Sequence, residues 1–416
     1  MDVAGTRSPV DRDQYFDIMI VGGGLVGSTL ACAIGESGYR VGLLDRSPLN
    51  LNLKFENDFD SRVVALSAAS KSLLQDLKIW PTILQGRYCA YKSMRVWEAD
   101  GTGAISFDAE ELEFPELGFV VESRLLLKAL HKKVSETEAL NVLSHGEVAA
   151  IDLYEENDQS LQRVTMKDGT VVFAKLIVAA DGGASTVRNL GKFETREWNY
   201  DHKAIVTTVR MSEAHNACAF QRFSTSGPLA FLPLDSGQEM QDEYFCSVVW
   251  SVVPDYAEHL LSLSNDLFNK ELGRQISHEL GNVLWSDKPQ SFPLRQMHAK
   301  SYFCDGIVLV GDAAHTIHPL AGQGVNLGFL DVKALAQELN EARLKSRLPS
   351  DAIVLRRYQR ARIGHNLGMM GVMEGFKSLF GNQFPWSTWL RNFGLSRVDR
   401  LSFFKKMLAR RAMGLD

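Results

Sequence analysis

The stretch Phe16-Asp17-Ile18-Met19-Ile20-Val21-Gly22-Gly23-Gly24-Leu25-Val26-Gly27 decides the reading of this chain. Its first six residues form a short apolar run of the kind that a strand buried on both faces requires. Gly22, Gly24 and Gly27 fit G-x-G-x-x-G, and Leu25 to Gly38 continues with helical apolar spacing. Arg40 to Asp45 returns as a second strand, which completes a βαβ unit of about thirty residues. In such a unit the first glycine permits a tight turn, the second lets a pyrophosphate approach the backbone, and the third lets helix and strand pack closely. The helix N-terminus offers unpaired N–H groups and partial positive charge to phosphates. Asp45 ends the second strand, where a carboxylate accepts bonds from ribose hydroxyls. Glycine turns also occur simply to pack a helix on a strand, and this fingerprint by itself does not separate FAD from NAD.

The surrounding composition is that of a soluble globular protein. The 416 residues exceed one ordinary core, and 45% are hydrophobic against 23% charged. A net charge of -5 gives no electrostatic reason to expect nucleic acid. The five cysteines, Cys32, Cys89, Cys218, Cys246 and Cys304, include no close pair, which points to reduced thiols without a disulfide framework or zinc site. Ile18 to Gly35 is the longest uncharged stretch, but its glycines and the acidic Asp11, Asp13 and Asp17 before it argue against a signal peptide or membrane span. A cytoplasmic chain is expected.

Further along, the apolar strand Ala174 to Ala180 ends at Asp181-Gly182, and Gly306 to Val310 ends at Gly311-Asp312. Both read as strands of the same sheet with turn residues at their carboxyl ends. Between them, alternating runs such as Ala204 to Arg210, Ala219 to Phe223 and Tyr244 to Ser251 predict an antiparallel sheet. After Val325 the pattern is helical. The expected fold is therefore α/β: a Rossmann-like FAD-binding domain (15-75, 118-190 and 290-345), an inserted antiparallel β-sheet substrate domain (76-117 and 191-289) and a helical C-terminal region (346-416).

Asp181-Gly182 with Ser185 and Arg188, and Gly311-Asp312-Ala313-Ala314-His315 running on to Pro319-Leu320-Ala321-Gly322-Gln323-Gly324-Val325-Asn326, resemble the two further signatures of group A flavoprotein aromatic hydroxylases. An Asp-Gly pair is usually just a turn; three motifs in order are specific. Asp60-Ser61-Arg62, Phe107-Asp108, Val121-Glu122, Gly227-Pro228 with Phe231-Leu232-Pro233-Leu234, and Gly311 to Gly328 narrow the resemblance to the hydroxylases of ubiquinone biosynthesis. It covers almost all of the chain from Tyr15, and is nearest to the 2-polyprenylphenol hydroxylase branch.

The resemblance implies FAD as cofactor, with NAD(P)H and O2 as co-substrates, and hydroxylation of a polyprenylated phenol or quinol through a flavin C4a-hydroperoxide. It implies that Gly22, Gly24, Gly27, Asp45, Arg62, Arg124, Asp181, Gly182, Asp312, Gly324, Val325 and Asn326 hold FAD, and that Pro319, Gly322, Gln323 and Gly324 lie along the flavin ring. Small residues in that segment let N–H groups approach the ring, and the following helix directs its positive end there. Arg62 and Arg124 suit phosphate oxygens through their donor forks, or else pair with nearby acids. Arg188 either contacts the ligand or caps its turn. His315 and His318 have metal-ligand spacing, but no carboxylate or cysteine completes a local set, so no metal is expected and His315 reads as a packing residue. Trp198, Tyr200, Phe223, Phe231 and Pro233 are candidates to meet substrate, and no general base emerges.

A lipid-embedded substrate implies peripheral contact with the inner face of a membrane. Arg391, Arg397, Arg400, Lys405, Lys406, Arg410 and Arg411, with Leu401, Phe404 and Leu408 at helical spacing, outline a basic amphipathic helix for a bilayer or an enzyme complex of the pathway. The competing reading is a terminal helix packed on its own domain. Alternatives for the whole chain are another FAD-dependent aromatic hydroxylase, a reductase or halogenase, or a non-catalytic prenyl-ligand binding protein of the same fold. The Trp-x-Trp-x-Ile motif typical of flavin halogenases does not occur.

Overall fold

The structure, a computed structural model, describes residues 14–49, 51, 59–98, 104–156, 159–224, 226–237, 243–317 and 323–381, with Lys406, Ala409, Arg410, Met413 and Gly414. For residues 199, 200, 323, 372–374 and 376–381 it describes the backbone course alone.

The strand Tyr15–Val21 lies at the centre of an eight-stranded sheet. It pairs in parallel with Val171–Ala179 on one side and Val41–Asp45 on the other. Ile307–Leu309 and Leu140–Ser144 extend the parallel set outward. Ile18, Met19 and Ile20 are fully buried, as an apolar run covered on both faces must be. The helices Leu25–Ile34, Ser123–Ser135 and Gln323–Leu344 share one core with this sheet through Leu30, Leu126 and Leu335. Because the five strands are parallel, the turns after Val21, Asp45, Ala179 and Leu309 emerge along one edge, where open α/β sheets bind ligands.

The second sheet has nine strands, all antiparallel to their neighbours except Cys218–Ser224 beside Ser93–Glu98. The runs expected from Ala204, Ala219 and Tyr244 lie within Thr195–Met211, Cys218–Ser224 and Tyr244–Val252. One face packs on the helices Pro254–Ser262 and Asn265–Gln275 through Ile205, Phe231, Val248, Trp250, Leu260 and Leu272.

Two boundaries differ from expectation. Gln290–Ala299, expected with the cofactor domain, pairs with Thr195–Met211 in the second sheet, because its backbone ladder outlasts the change in sequence pattern. Tyr88–Tyr91, expected with the substrate domain, pairs with Gly118–Glu122, which also holds Val63–Leu66. The region after Val325 is helical as expected, over Gln323–Leu344 and Ala352–Gly381.

Candidate active site

The glycine turn is held from three sides. Gly22 has φ +109°, and a Cβ there would lie 2.3 Å from the Ala180 carbonyl oxygen. At Gly27 a Cβ would lie 1.8 Å from the oxygen of Gly22, so helix and strand touch as the motif requires. Gly23 donates its N–H to Asp45 Oδ2 at 2.6 Å, while its carbonyl accepts from Ser28 Oγ and meets His131 Nε2, each at 2.8 Å. His131 comes from the helix Ser123–Ser135, and nothing local in the sequence signalled it. Asp45 Oδ1 accepts from Ser47 N at 2.7 Å, and its oxygens retain lone pairs for hydroxyl donors. By contrast, no atom of the described residues lies within 4 Å of a Cβ built on Gly24, and the helix beginning at Leu25 has neither a side-chain cap nor an acid in its first turn. That N-terminus is open to an anion.

Asp181 stands on the neighbouring strand end. Its Oδ1 accepts from Ser185 Oγ at 2.5 Å and its Oδ2 from Val187 N at 3.1 Å, so the carboxylate organises the short helix Thr186–Leu190. Arg188 is buried and donates to the carbonyls of Ala313, at 3.1 Å, and Gly183, at 2.8 Å. It therefore clamps the Asp181 turn to the Gly311 turn. Gly182 has no atom of the described residues within 4 Å of a built Cβ.

The third turn, Gly311–Ala313, rests on a buried ionic network. Asp331 Oδ2 accepts from Gly311 N at 3.0 Å and lies 2.5 Å from His315 Nε2. Its Oδ1 accepts from Arg362 Nε at 2.8 Å and from Asn366 Nδ2 at 3.2 Å. Asn366 Nδ2 also donates to the Tyr302 hydroxyl at 3.1 Å, and that hydroxyl lies 3.0 Å from His298 Nε2. Burial pushes the Asp331 carboxyl up, but the charges and bonds of His315 and Arg362 outweigh it and hold the pKa at about 2. His315 thus packs against Asp331. Asp312 itself is exposed, yet surrounding protein raises its carboxyl above the ordinary value, with His315 lowering it and Asp331 raising it.

Gly324 follows closely, a Cβ there lying 3.8 Å from Asp312 Oδ1. Val325 packs against the core of the first sheet. The buried Asn326 side chain donates to Ala65 O at 2.8 Å and accepts from Ser67 N at 2.9 Å and Ser70 Oγ at 2.6 Å, so it ties this helix to the start of Ala68–Asp76. Pro319, Gly322 and His318 lie outside the described residues, as does the Gln323 side chain.

Arg62 and Arg124 meet through Asp60, whose Oδ1 accepts from Arg62 N at 3.0 Å and whose Oδ2 accepts from Arg124 N at 2.9 Å. The exposed Arg62 guanidinium lies 5.0 Å from the centroid of Phe292. Arg124 and Arg87 both grip the buried Glu122, at 2.9 and 3.0 Å.

The second sheet contributes the opposite wall. Val206, Val249 and Ala230 are cross-strand neighbours on one face, and Leu232 shares it. All four are half-buried, whereas Ile205, Phe231, Val248 and Trp250 on the other face are completely covered. Leu232 packs with Phe59, Val63 and Val120, so the partly open face looks toward the cofactor-side strands. Phe231 and Pro233 point the other way, correcting the expectation that they meet substrate. Trp198 is exposed, and the side chain of Tyr200 lies outside the described residues.

The three turns, the open helix N-terminus and the Asp45 and Asp312 carboxylates fit FAD: backbone N–H groups for its pyrophosphate and paired acceptors for its hydroxyls. With a partly open apolar sheet face across the crevice, fold and site define a FAD-dependent aromatic hydroxylase. Residues 15–362 match the family model described as "FAD binding domain". The chain is 34% identical to "3-demethoxyubiquinol 3-hydroxylase" of Escherichia coli, over 97% of this chain and 100% of that protein. It is 30% identical to human "Ubiquinone biosynthesis monooxygenase COQ6, mitochondrial", over 96% of this chain and 93% of that protein. The crystal structure of PqsL from P. aeruginosa superposes with a TM-score of 0.76 at 20% identity, covering 92% of this chain and all of that one, which establishes the fold. The chain belongs to the FAD-dependent monooxygenases of ubiquinone biosynthesis.

Among the described residues, no helix is long and apolar enough to cross a membrane. Of the basic C-terminal segment, Lys406 pairs with Glu113, Ala409 is buried with Ala109, Leu112 and Leu117, and the Met413 carbonyl accepts from Ala69 N at 3.2 Å. Arg391, Arg397, Arg400, Leu401, Phe404, Lys405, Leu408 and Arg411 lie outside the described residues.

Proposed function

We propose that this chain hydroxylates the aromatic ring of a polyprenylated phenol or quinol, using NAD(P)H and O2. The observation that carries the reading is the half-buried apolar face of Val206, Ala230, Leu232 and Val249 turned toward the cofactor-side strands, in a chain of this family. When bound, FAD supplies the redox chemistry that passes electrons from NAD(P)H to O2.

The residues of the chain hold and enclose the reactants. The Gly22 to Gly27 turn and the helix after it receive the pyrophosphate, and Asp45 accepts from ribose hydroxyls. Asp312 accepts from the ribitol chain. Gly324 and Val325 present backbone N–H groups at the start of a helix, where negative charge is stabilised. Arg62 and Arg124 supply positive potential along this edge. The apolar face orients the ring and excludes water, which keeps reducing equivalents from being lost without product. A polyprenyl tail keeps the substrate in a bilayer, so the chain works peripherally at its surface.

The test supplies FAD-loaded protein, NADPH, 18O2 and a short-chain prenylphenol. One 18O atom on the product ring supports the reading. NADPH oxidation that yields hydrogen peroxide and no ring product with any prenylphenol overturns it.

A further inference from the structure

Three buried polar side chains share the cofactor-side face of the second sheet, and two of them have no hydrogen-bond partner among the described residues. Thr208, 1% exposed, and Ser247, 0% exposed, stand directly opposite each other on adjacent strands, and neither hydroxyl oxygen has a hydrogen-bond partner among the described residues. Gln221, 6% exposed, lies on the rung that runs through Ala230 to Val249. Cross-strand partners share a face, so all three side chains stand on the face of Val206, Ala230, Leu232 and Val249. On the opposite face Thr207 Oγ1 donates to Asp287 O at 2.8 Å, while Trp250 Nε1 and Ser286 Oγ have no partner among the described residues.

An unsatisfied buried polar group destabilises a fold unless a partner arrives. Here the unsatisfied hydroxyls border one end of the open apolar patch, and the Gln221 amide lies at its side. Hydroxyl groups both donate and accept, as does a carboxamide, and a ring bearing oxygen substituents needs that combination.

We propose that Thr208, Ser247 and Gln221 form the ring-recognition set of this site, bonding the ring oxygens of a phenol or quinol whose carbon skeleton lies on Val206, Ala230, Leu232 and Val249. This rests on the ring-hydroxylase reading and adds the groups that select for ring oxygens. A site built to bond a hydroxyl rejects the analogue that lacks it, because its own polar groups then remain unpaired.

The experiment titrates FAD-loaded protein with 2-prenylphenol and with prenylbenzene, which has the same tail and no ring oxygen, reading binding from the flavin absorption difference spectrum. Wild-type protein should bind the phenol more tightly. In Thr208→Val, Ser247→Ala and Gln221→Leu that preference should shrink, by about tenfold in the triple variant, with prenylbenzene affinity unchanged. Thermal stability without ligand should stay level or rise, since apolar groups replace unsatisfied polar ones; a merely structural role would lower it. An unchanged preference in variants of wild-type stability overturns the inference while leaving the hydroxylase reading intact. Wild-type protein that hydroxylates no prenylphenol overturns both.

Discussion

The Asp331 carboxylate accepts from the backbone N–H of Gly311, twenty positions earlier in the chain, at 3.0 Å, and so fixes the turn that carries Asp312. The same carboxylate binds Arg362 on the long helix Ala352–Gly381, which makes that helix part of the support of the cofactor turn. Replacing Asp331 by Ala would leave the buried Arg362 charge without its counter-ion, at about 3–5 kcal/mol. Urea unfolding of Asp331→Ala should show that loss together with reduced FAD retention; a change below about 1 kcal/mol would refute the supporting role.

Because Asp331 is held at about 2, against an ordinary 3.8, its folded-state pKa is depressed. Its contribution is then fully present above the unfolded value and is lost as pH falls through the folded one. The stability difference between wild type and Asp331→Asn should therefore narrow as pH drops from about 4 toward 2. A difference that stays constant over this window would show that the carboxylate charge is not the source.

His298 sets a second window. Burial lowers its pKa from 6.5 to about 4, helped by positive charge at His315 and Arg196. The folded protein thus binds fewer protons than the unfolded chain between those values, so this group favours folding above about 6.5 and opposes it increasingly as pH falls toward 4. His298→Gln keeps a polar partner for the Tyr302 hydroxyl but removes the titration. Its stability should decline less than wild type between pH 6.5 and 4, by on the order of 2 kcal/mol. Parallel stability profiles would count against it.

The three turns were legible because each is a short local pattern, glycines or an Asp-Gly pair at the end of an apolar run. The supports of those turns were not. His131 holds the first glycine turn from a helix begun about a hundred residues later, and Asp331, Arg362 and Asn366 read in sequence as ordinary polar positions on amphipathic helices. Their role depends on which helix face turns inward, and hydrophobic periodicity does not assign buried polar contacts. The strand Gln290–Ala299 was misplaced for a related reason: its sheet is chosen by a ladder to Thr195–Met211, about ninety residues away.

Asp312 is exposed, and its own carboxylate makes no bond that the turn requires among the described residues. Asp312→Ala should therefore leave the apoprotein as stable as wild type. It should also weaken FAD binding about tenfold or more, as loss of a charged acceptor predicts. Flavin content after gel filtration measures the effect, and undiminished content at wild-type stability would rule out the ribitol contact.

Gly22, Gly24 and Gly27 belong to one motif, yet the structure assigns them different sensitivities. A methyl at Gly27 would lie 1.8 Å from a backbone oxygen, and one at Gly22 2.3 Å from another, so Ala at either position must displace the strand or helix. Both variants should lose folded yield along with flavin. Gly24 has no atom within 4 Å of the added carbon. Gly24→Ala should leave the apoprotein melting temperature within about 2 °C of wild type, since no contact is broken. If pyrophosphate passes against this backbone, the same methyl occupies its path and FAD affinity should fall at least tenfold. Isothermal titration of apoprotein with FAD separates the outcomes: wild-type affinity in Gly24→Ala would move the pyrophosphate off the turn, whereas a selective loss of binding in a stable apoprotein locates it there.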